Sequence, residues 1–176
     1  MNSFYELARQ RRSYRKYTGQ PIDQATIDKL LETVLMAPAG KRANPWEFIV
    51  VTDPETSVRL SECKPNGSAF VATAPLNIVV IADTAKSDVW TEDCSIAAIY
   101  LQLAAEDLGL CSCWAQVRCR ESRQEGISAG QYIKDLLQIP ENYEVECIIS
   151  IGHKDEQRNP FDLTRLQKEK IHQGRF

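Results

Sequence analysis

Apolar residues recur at helical spacing soon after the start of the chain. Ile27, Leu30, Leu31, Val34 and Leu35 follow the i, i+3, i+4, i+7, i+8 rule, which predicts an amphipathic helix capped by Asp23 and stopped at Pro38. Ahead of it, Ser3 with Glu6 forms a capping-box pattern that opens a short helix carrying Phe4 and Leu7. Trp46 to Val51 reads as a strand from its β-branched content, and Leu76 to Ala82 as a buried strand. A short helix is predicted over Thr56 to Glu62, and Lys64-Pro65-Asn66-Gly67 is a turn signal. The longest helix runs from about Val89 to Leu108, with Gly109 in the stop position. Its middle, Cys94 to Ala105, is apolar on nearly all sides, so it must be buried in a core or against a partner chain. A strand at Cys113 to Val117, a helix at Ala129 to Leu137 and an alternating strand at Glu144 to Ile151 complete the predicted core. Beyond Gly152 the chain is polar and basic and offers few core residues. Helices and strands interleave without βαβ regularity, which predicts an α+β fold with an extended C-terminal arm.

Composition narrows the function classes. The chain has 176 residues, 43% hydrophobic and 26% charged, and is expected to form one domain over residues 1–176. A formal net charge of -3 argues against a nucleic-acid surface, while leaving room for a local basic cluster that holds one phosphate. No apolar run reaches the ~20 residues of a membrane span. The first residues lack a basic segment followed by an apolar core, so no secretion signal and a cytoplasmic protein are expected. Six cysteines, most of them in apolar stretches and none in a C-x-x-C pair, are expected to be reduced thiols rather than disulfides or metal ligands. No metal site is expected.

Dinucleotide, Walker, nucleophile-elbow and zinc-protease signatures are absent, and the two histidines, His153 and His172, lie near the end. Three other segments carry candidate chemistry. Arg11-Arg12-Ser13-Tyr14-Arg15 puts three guanidinium forks and a hydroxyl into one short run, suited to a phosphate monoester; a solvated basic turn has the same composition. Ala37 to Trp46 combines small residues, which let a flat ligand approach the backbone, with the donors Arg42 and Asn44; a helix stop before a strand reads the same way. Leu108 to Gln116 turns from the long helix into a strand whose end can lie over a ligand, or simply pack in the core.

In this order the three segments resemble the nitroreductase family of FMN-dependent oxidoreductases. Arg11 to Tyr17 is similar to that family's R-R-S-x-R-x-F motif, and Ala37 to Val51 to its A-P-S-x-x-N-x-Q-P-W-x-F-I-V-V motif. Asp93 to Trp114 resembles its long helix and L-G-L-G-x-C-W turn; Ile151 to Lys154 and Lys170 to Phe176 resemble its closing motifs. Arg42 stands where the family has Asn, Asn44 where it has Gln, and Cys111 replaces a glycine.

The resemblance implies a nitroreductase-like mixed or antiparallel sheet flanked by helices, in a homodimer with two FMN sites at the interface. The long helix would be buried there. Arg11, Arg12, Ser13 and Arg15 would form the flavin-binding arm. Pro38, Ala39, Gly40 and Arg42 would come from the other subunit, and Asn44 would also contact the cofactor. Trp114, Ala115 and Gln116 would lie beside the ring, and Arg165 would reach the phosphate from the tail. Arg15 is the expected catalytic cation, NAD(P)H the expected hydride donor, and a nitroaromatic, quinone or flavin the expected small-molecule acceptor, in a ping-pong cycle. The short segment between Asp83 and Glu92 predicts an open site. Two alternatives stay open: a flavin storage or sensor protein, and a different flavin reaction, such as dehalogenation, on the same scaffold.

Overall fold

Side-chain caps fix where several helices begin. The computed structural model describes residues 3–176. Ser3, Asp23, Asp53 and Ser128 each sit in extended backbone, and each side chain accepts from an amide of the first turn. They open helices α1 (Phe4–Gln10), α2 (Gln24–Leu35), α3 (Pro54–Ser61) and α5 (Ala129–Leu137). Proline in the first turn of α3 moves that start two residues ahead of the sequence expectation. The long helix, α4, spans Trp90–Asp107.

Four strands form one antiparallel sheet in the order β1-β2-β4-β3: β1 (Trp46–Val51), β2 (Leu76–Asp83), β3 (Cys111–Gln116) and β4 (Tyr143–Gly152). Of the two expected sheet types, the antiparallel one is present. The strand β3 begins two residues earlier than its sequence predicts, because Cys111 pairs with Gly152 at the very end of β4. The β2–β4 register is interrupted once. Val80 faces Cys147 and Ile81 faces Val145, so Glu146 is the extra residue of a bulge.

The sheet carries a core on each face. On one, Val79, Cys113, Ala115 and Ile148 pack with Leu60, Val71 and Ile133 from α3, the 69–73 turn and α5. On the other, Ile78, Val80 and Ile149 pack with α2 and α4. Within one chain the helix α4 is not buried all round: Ala97, Ala98, Leu101 and Ala105 face the sheet, while Ile96 and Ile99 are exposed. Leu35, on the predicted apolar stripe of α2, is exposed as well. Among the described residues no helix is long and apolar enough to cross a membrane.

After α1 the chain runs as an extended arm along the outer edge of β3. Ser13 pairs with Ser112 in a parallel bridge, and the Tyr14 amide donates to the Ser112 carbonyl at 3.0 Å. The buried Tyr17 hydroxyl lies 3.0 Å from the Tyr14 carbonyl and 3.3 Å from that of Ser150. Burial pushes this phenol well above its ordinary range, so it stays a donor. The C-terminal tail then runs back along the arm, with Asp155 N–H on the Lys16 carbonyl and Phe161 N–H on that of Arg9.

Gly152 sits where arm and sheet cross. A Cβ there would lie 2.7 Å from Tyr17 Cδ1 and 2.8 Å from Pro75 Cδ. Gly152→Ala is expected to cost about 2 kcal/mol through overpacking. Chemical denaturation should show a lower midpoint with an unchanged slope.

Candidate active site

The arm places its arginines with little competition from carboxylates. Among the described residues, Arg11, Arg12, Arg15 and Arg165 form no ion pair within 4.0 Å. Arg11 is the C-cap of α1, and Ser13 is held in its bridge to β3. Beyond that single bridge the arm lies by the start of β3, where Tyr17 bridges Lys154 and Thr18 N–H donates to the His153 carbonyl at 3.2 Å. The Arg15 amide donates to Glu156 Oε1 at 3.1 Å, and its guanidinium lies over the Phe70 ring, 5.9 Å from the centroid.

The returning tail meets Arg12. A cleft of about 610 Å³ is lined by Arg12, Arg158, Asn159, Phe161 and Arg165 among others. Arg12 and Arg165, both singled out in the sequence, therefore share one wall-to-wall space although 153 positions separate them (165 − 12). Arg158 joins them and was not anticipated. Its guanidinium is held by Glu156 at 3.0 Å and lies over the Tyr14 ring. Nothing in its local sequence distinguishes it from the other basic residues of the tail. Arg11 does not line this cleft.

The second segment lies elsewhere. Ala39 leads into a single turn, Gly40–Arg42, and Lys41, Arg42 and Asn44 all have positive φ. This backbone is anchored by Asp93, a buried residue near the start of α4: Gly40 N–H donates to Oδ1 at 2.7 Å and Ser87 Oγ–H donates to Oδ2 at 2.8 Å. Pro38, Arg42 and Asn44 are exposed, and Ala39 is half-buried. The arm is tied instead to Ser112, which contacts Gln102 at 3.4 Å. Nine residues of helix separate Asp93 from Gln102, a rise of about 13 Å. One chain does not bring Pro38–Asn44 to the arm.

At the third segment, Ala115 is buried under the sheet, while Trp114 and Gln116 face the α4 side half-exposed. Trp114 Nε1–H donates to Gln116 Oε1 at 2.8 Å. The Gln116 side-chain amide lies 3.2 Å from the Arg118 carbonyl and 3.4 Å from Glu146 Oε1. On the opposite face, buried Lys64 donates from Nζ to the Gln116 carbonyl at 2.6 Å. Burial lowers the Lys64 pKa, with Arg120 adding to the effect. Lys64 and Glu146 were both missed in the sequence. Lys64 lies in a turn signal that ordinarily marks solvent, and strand alternation alone would not distinguish Glu146 from the exposed Glu144.

Five of the six cysteines are buried, and Cys119 is exposed. Burial pushes the Cys94 and Cys111 thiols up to about 12, and Cys113 moves the same way. All six cysteines are unpaired.

Asp93→Ala removes two charge-assisted hydrogen bonds and is expected to cost about 2–3 kcal/mol. Hydrogen exchange should report faster opening at the Gly40 amide while β4 amides retain their protection relative to global stability.

The sequence model of the Nitroreductase family matches residues 8–153. A Methanothermobacter thermautotrophicus protein named "Putative NADH dehydrogenase/NAD(P)H nitroreductase" is 36% identical over 171 residues, covering 94% of this chain and 86% of its own. An Archaeoglobus fulgidus protein of the same name is 34% identical, covering 94% of both chains. The solved structure of an FMN-dependent nitroreductase from Clostridium difficile superposes with a TM-score of 0.96 at 45% identity, covering 98% of this chain and 100% of that one. With its fold, its arginine arm and these relatives taken together, the chain belongs to the nitroreductase family, a family of oxidoreductases.

Proposed function

We propose that the chain is an FMN-dependent NAD(P)H oxidoreductase acting as a two-fold dimer. The observation that carries this reading is the cleft where Arg12, from the start of the chain, meets Arg158 and Arg165, from its end. Guanidinium groups pair with phosphate oxygens through parallel hydrogen bonds, and the Ser13 hydroxyl and Arg11 lie on the same short arm. Two of the cleft arginines, Arg12 and Arg165, are free of carboxylate partners within 4.0 Å among the described residues, so their charge is available to a dianion. The donor set fits the phosphate of FMN.

From that anchor, the direction of β3 leads toward Trp114, Ala115 and Gln116, which would support the ring. Bound FMN supplies the redox chemistry, taking hydride from NAD(P)H and passing electrons to a nitroaromatic, quinone or flavin acceptor. Arg15 would place a fixed positive charge beside the ring, where negative charge develops on reduction. Only six residues separate β2 from α4, too few for a large lid, which favours an open site and alternating occupancy by donor and acceptor.

A second copy supplies what one chain lacks. An apolar groove of about 830 Å³ runs between α1, α2 and α4, lined by Phe4, Leu7, Ile99, Leu103 and Leu108 among others, with Phe4 71% exposed. Ile96 and Ile99 lie near the middle of α4 and face out. Two antiparallel copies of α4, related by a two-fold axis there, would set the Asp93 level of one chain opposite the Gln102 level of the other. The partner's Pro38–Asn44 loop would then approach the arm.

Four outcomes are expected. Purified protein should carry or take up FMN and oxidise NAD(P)H steadily with a quinone; a yellow protein without turnover would instead favour storage or sensing. The double variant Arg12→Ala, Arg165→Ala should bind FMN at least about a hundredfold more weakly, since two charge-assisted contacts are lost. Isothermal titration at two salt concentrations would show this, with a shallower salt dependence than wild type. Arg15→Ala should lower the midpoint potential of bound FMN, read by spectroelectrochemical titration. Separately, Leu103→Glu should give a folded monomer by sedimentation and circular dichroism that has lost FMN affinity; a monomer with wild-type affinity removes the partner loop from the site.

A further inference from the structure

Glu146 stands out in the interior of the fold. It is 3% exposed, and its Oε2 has no hydrogen-bond partner. The nearest cation, Arg118 Nε, is 4.0 Å away. An ionised carboxylate left in that state is costly, and folds retain such groups where they have a use. Its position comes from the β4 bulge, which inserts Glu146 between the Val80–Cys147 and Ile81–Val145 pairs. Bulges turn one side chain out of the regular alternation, and they are frequent next to active sites.

Glu146 holds the end of β3 and the two residues that follow it. Its Oε1 lies 3.4 Å from Gln116 Nε2, and its backbone carbonyl accepts from Val117 N–H at 3.2 Å and Arg118 N–H at 3.0 Å. From the other face of the sheet, Lys64 holds the Gln116 carbonyl. The end of β3 is thus fixed between a buried carboxylic group and a buried ammonium, which come from positions 146 and 64. The surroundings of Glu146 hold few compensating charges. Arg118 from β3's exit favours its ionised form, while Glu92 of α4 opposes it; the thiols of Cys94 on α4 and Cys147 on β4 are neutral neighbours kept protonated by burial. Burial is the largest effect on Glu146 and raises its pKa.

Resting on the reading of Gln116 as flavin-facing, we propose that Glu146 is a positioning residue of the flavin site that also takes up a proton when bound FMN is reduced. Hydride transfer from NAD(P)H brings two electrons and one negative charge to the flavin. A proton from solvent forms a bond to Glu146 Oε2 and offsets that charge, and it returns to solvent when the acceptor removes the electrons. The ionised carboxylate, held behind Gln116, opposes reduction; the protonated acid does not.

The test compares FMN-loaded wild type with Glu146→Gln, which keeps an acceptor for the Gln116 amide and removes the titrating group. In the wild type, midpoint potential plotted between about pH 5 and 9 should show an interval of steeper fall that Glu146→Gln lacks. In flavin-free protein the sign is fixed by linkage: a raised acid pKa gives stability present at low pH and lost as pH rises through it. The glutamine variant should therefore gain in Tm relative to wild type as pH increases. Glu146→Ala should weaken FMN binding about fivefold and speed exchange at the Val117 and Arg118 amides, with Glu146→Gln restoring both. Parallel potential curves for wild type and Glu146→Gln overturn the proposal whatever the alanine variant does. Failure of the wild type to bind FMN overturns the site reading and this inference together, whereas binding and turnover with parallel curves overturns this inference alone.

Discussion

The attachment of the N-terminal arm to the β3–β4 edge is the constraint on which the site depends. Five basic side chains between Arg9 and Lys16 repel one another and favour solvent. They are held in one line because apolar and neutral groups between them are buried. Tyr14 and Tyr17 enter the core, the Tyr17 hydroxyl serves two carbonyls, and Ser13 completes a bridge to Ser112. Each such hydrogen bond contributes about 1 kcal/mol, and each buried ring contributes more. The same edge receives the tail, so the residues that fix the arm also decide where Arg158 and Arg165 arrive.

The long helix has a complementary part. It covers one face of the sheet with small side chains, which allows close packing, and leaves Ile96 and Ile99 outward. It also acts as a ruler. Asp93 near one end holds the glycine loop, while Gln102 on a later turn touches the strand that holds the arm. A rigid helix cannot shorten that spacing. In the proposed dimer, a second helix running the other way would bring the two candidate segments together, which links the proposed dimer to the proposed site.

Much of this was legible in the sequence because it depends on local rules. Caps at Ser3 and Asp23, the stop at Pro38 and the β-branched runs each act through neighbouring residues, and the predicted elements appear near their expected places. What was misread depends on tertiary placement. Leu35 belongs to the apolar stripe of α2 by period but lies beyond the reach of the sheet. The start of β3 was set by its partner Gly152, which no local pattern at Cys111 reveals. Arg158 gains its place only because the tail doubles back on the arm. Lys64 is hidden in a turn whose residues ordinarily signal exposure, and Glu146 is moved by a bulge that a two-residue period cannot register.

Lys64 and Glu146 also show where stability has been given up. Two oppositely charged groups lie buried on either side of one strand end, yet they do not pair with each other. Each meets a polar group of Gln116 instead. Replacing such groups by apolar residues of similar volume is often neutral or stabilising, because desolvation of a charge outweighs one hydrogen bond. Neither is needed to define the sheet, whose strands are already paired through their backbones on both sides of β4. Their common target is the last residue of β3, paired with Cys147 at the end of the ladder. A strand end normally frays. Held from both faces, this one becomes a fixed edge, suited to the flat cofactor proposed to lie beside it.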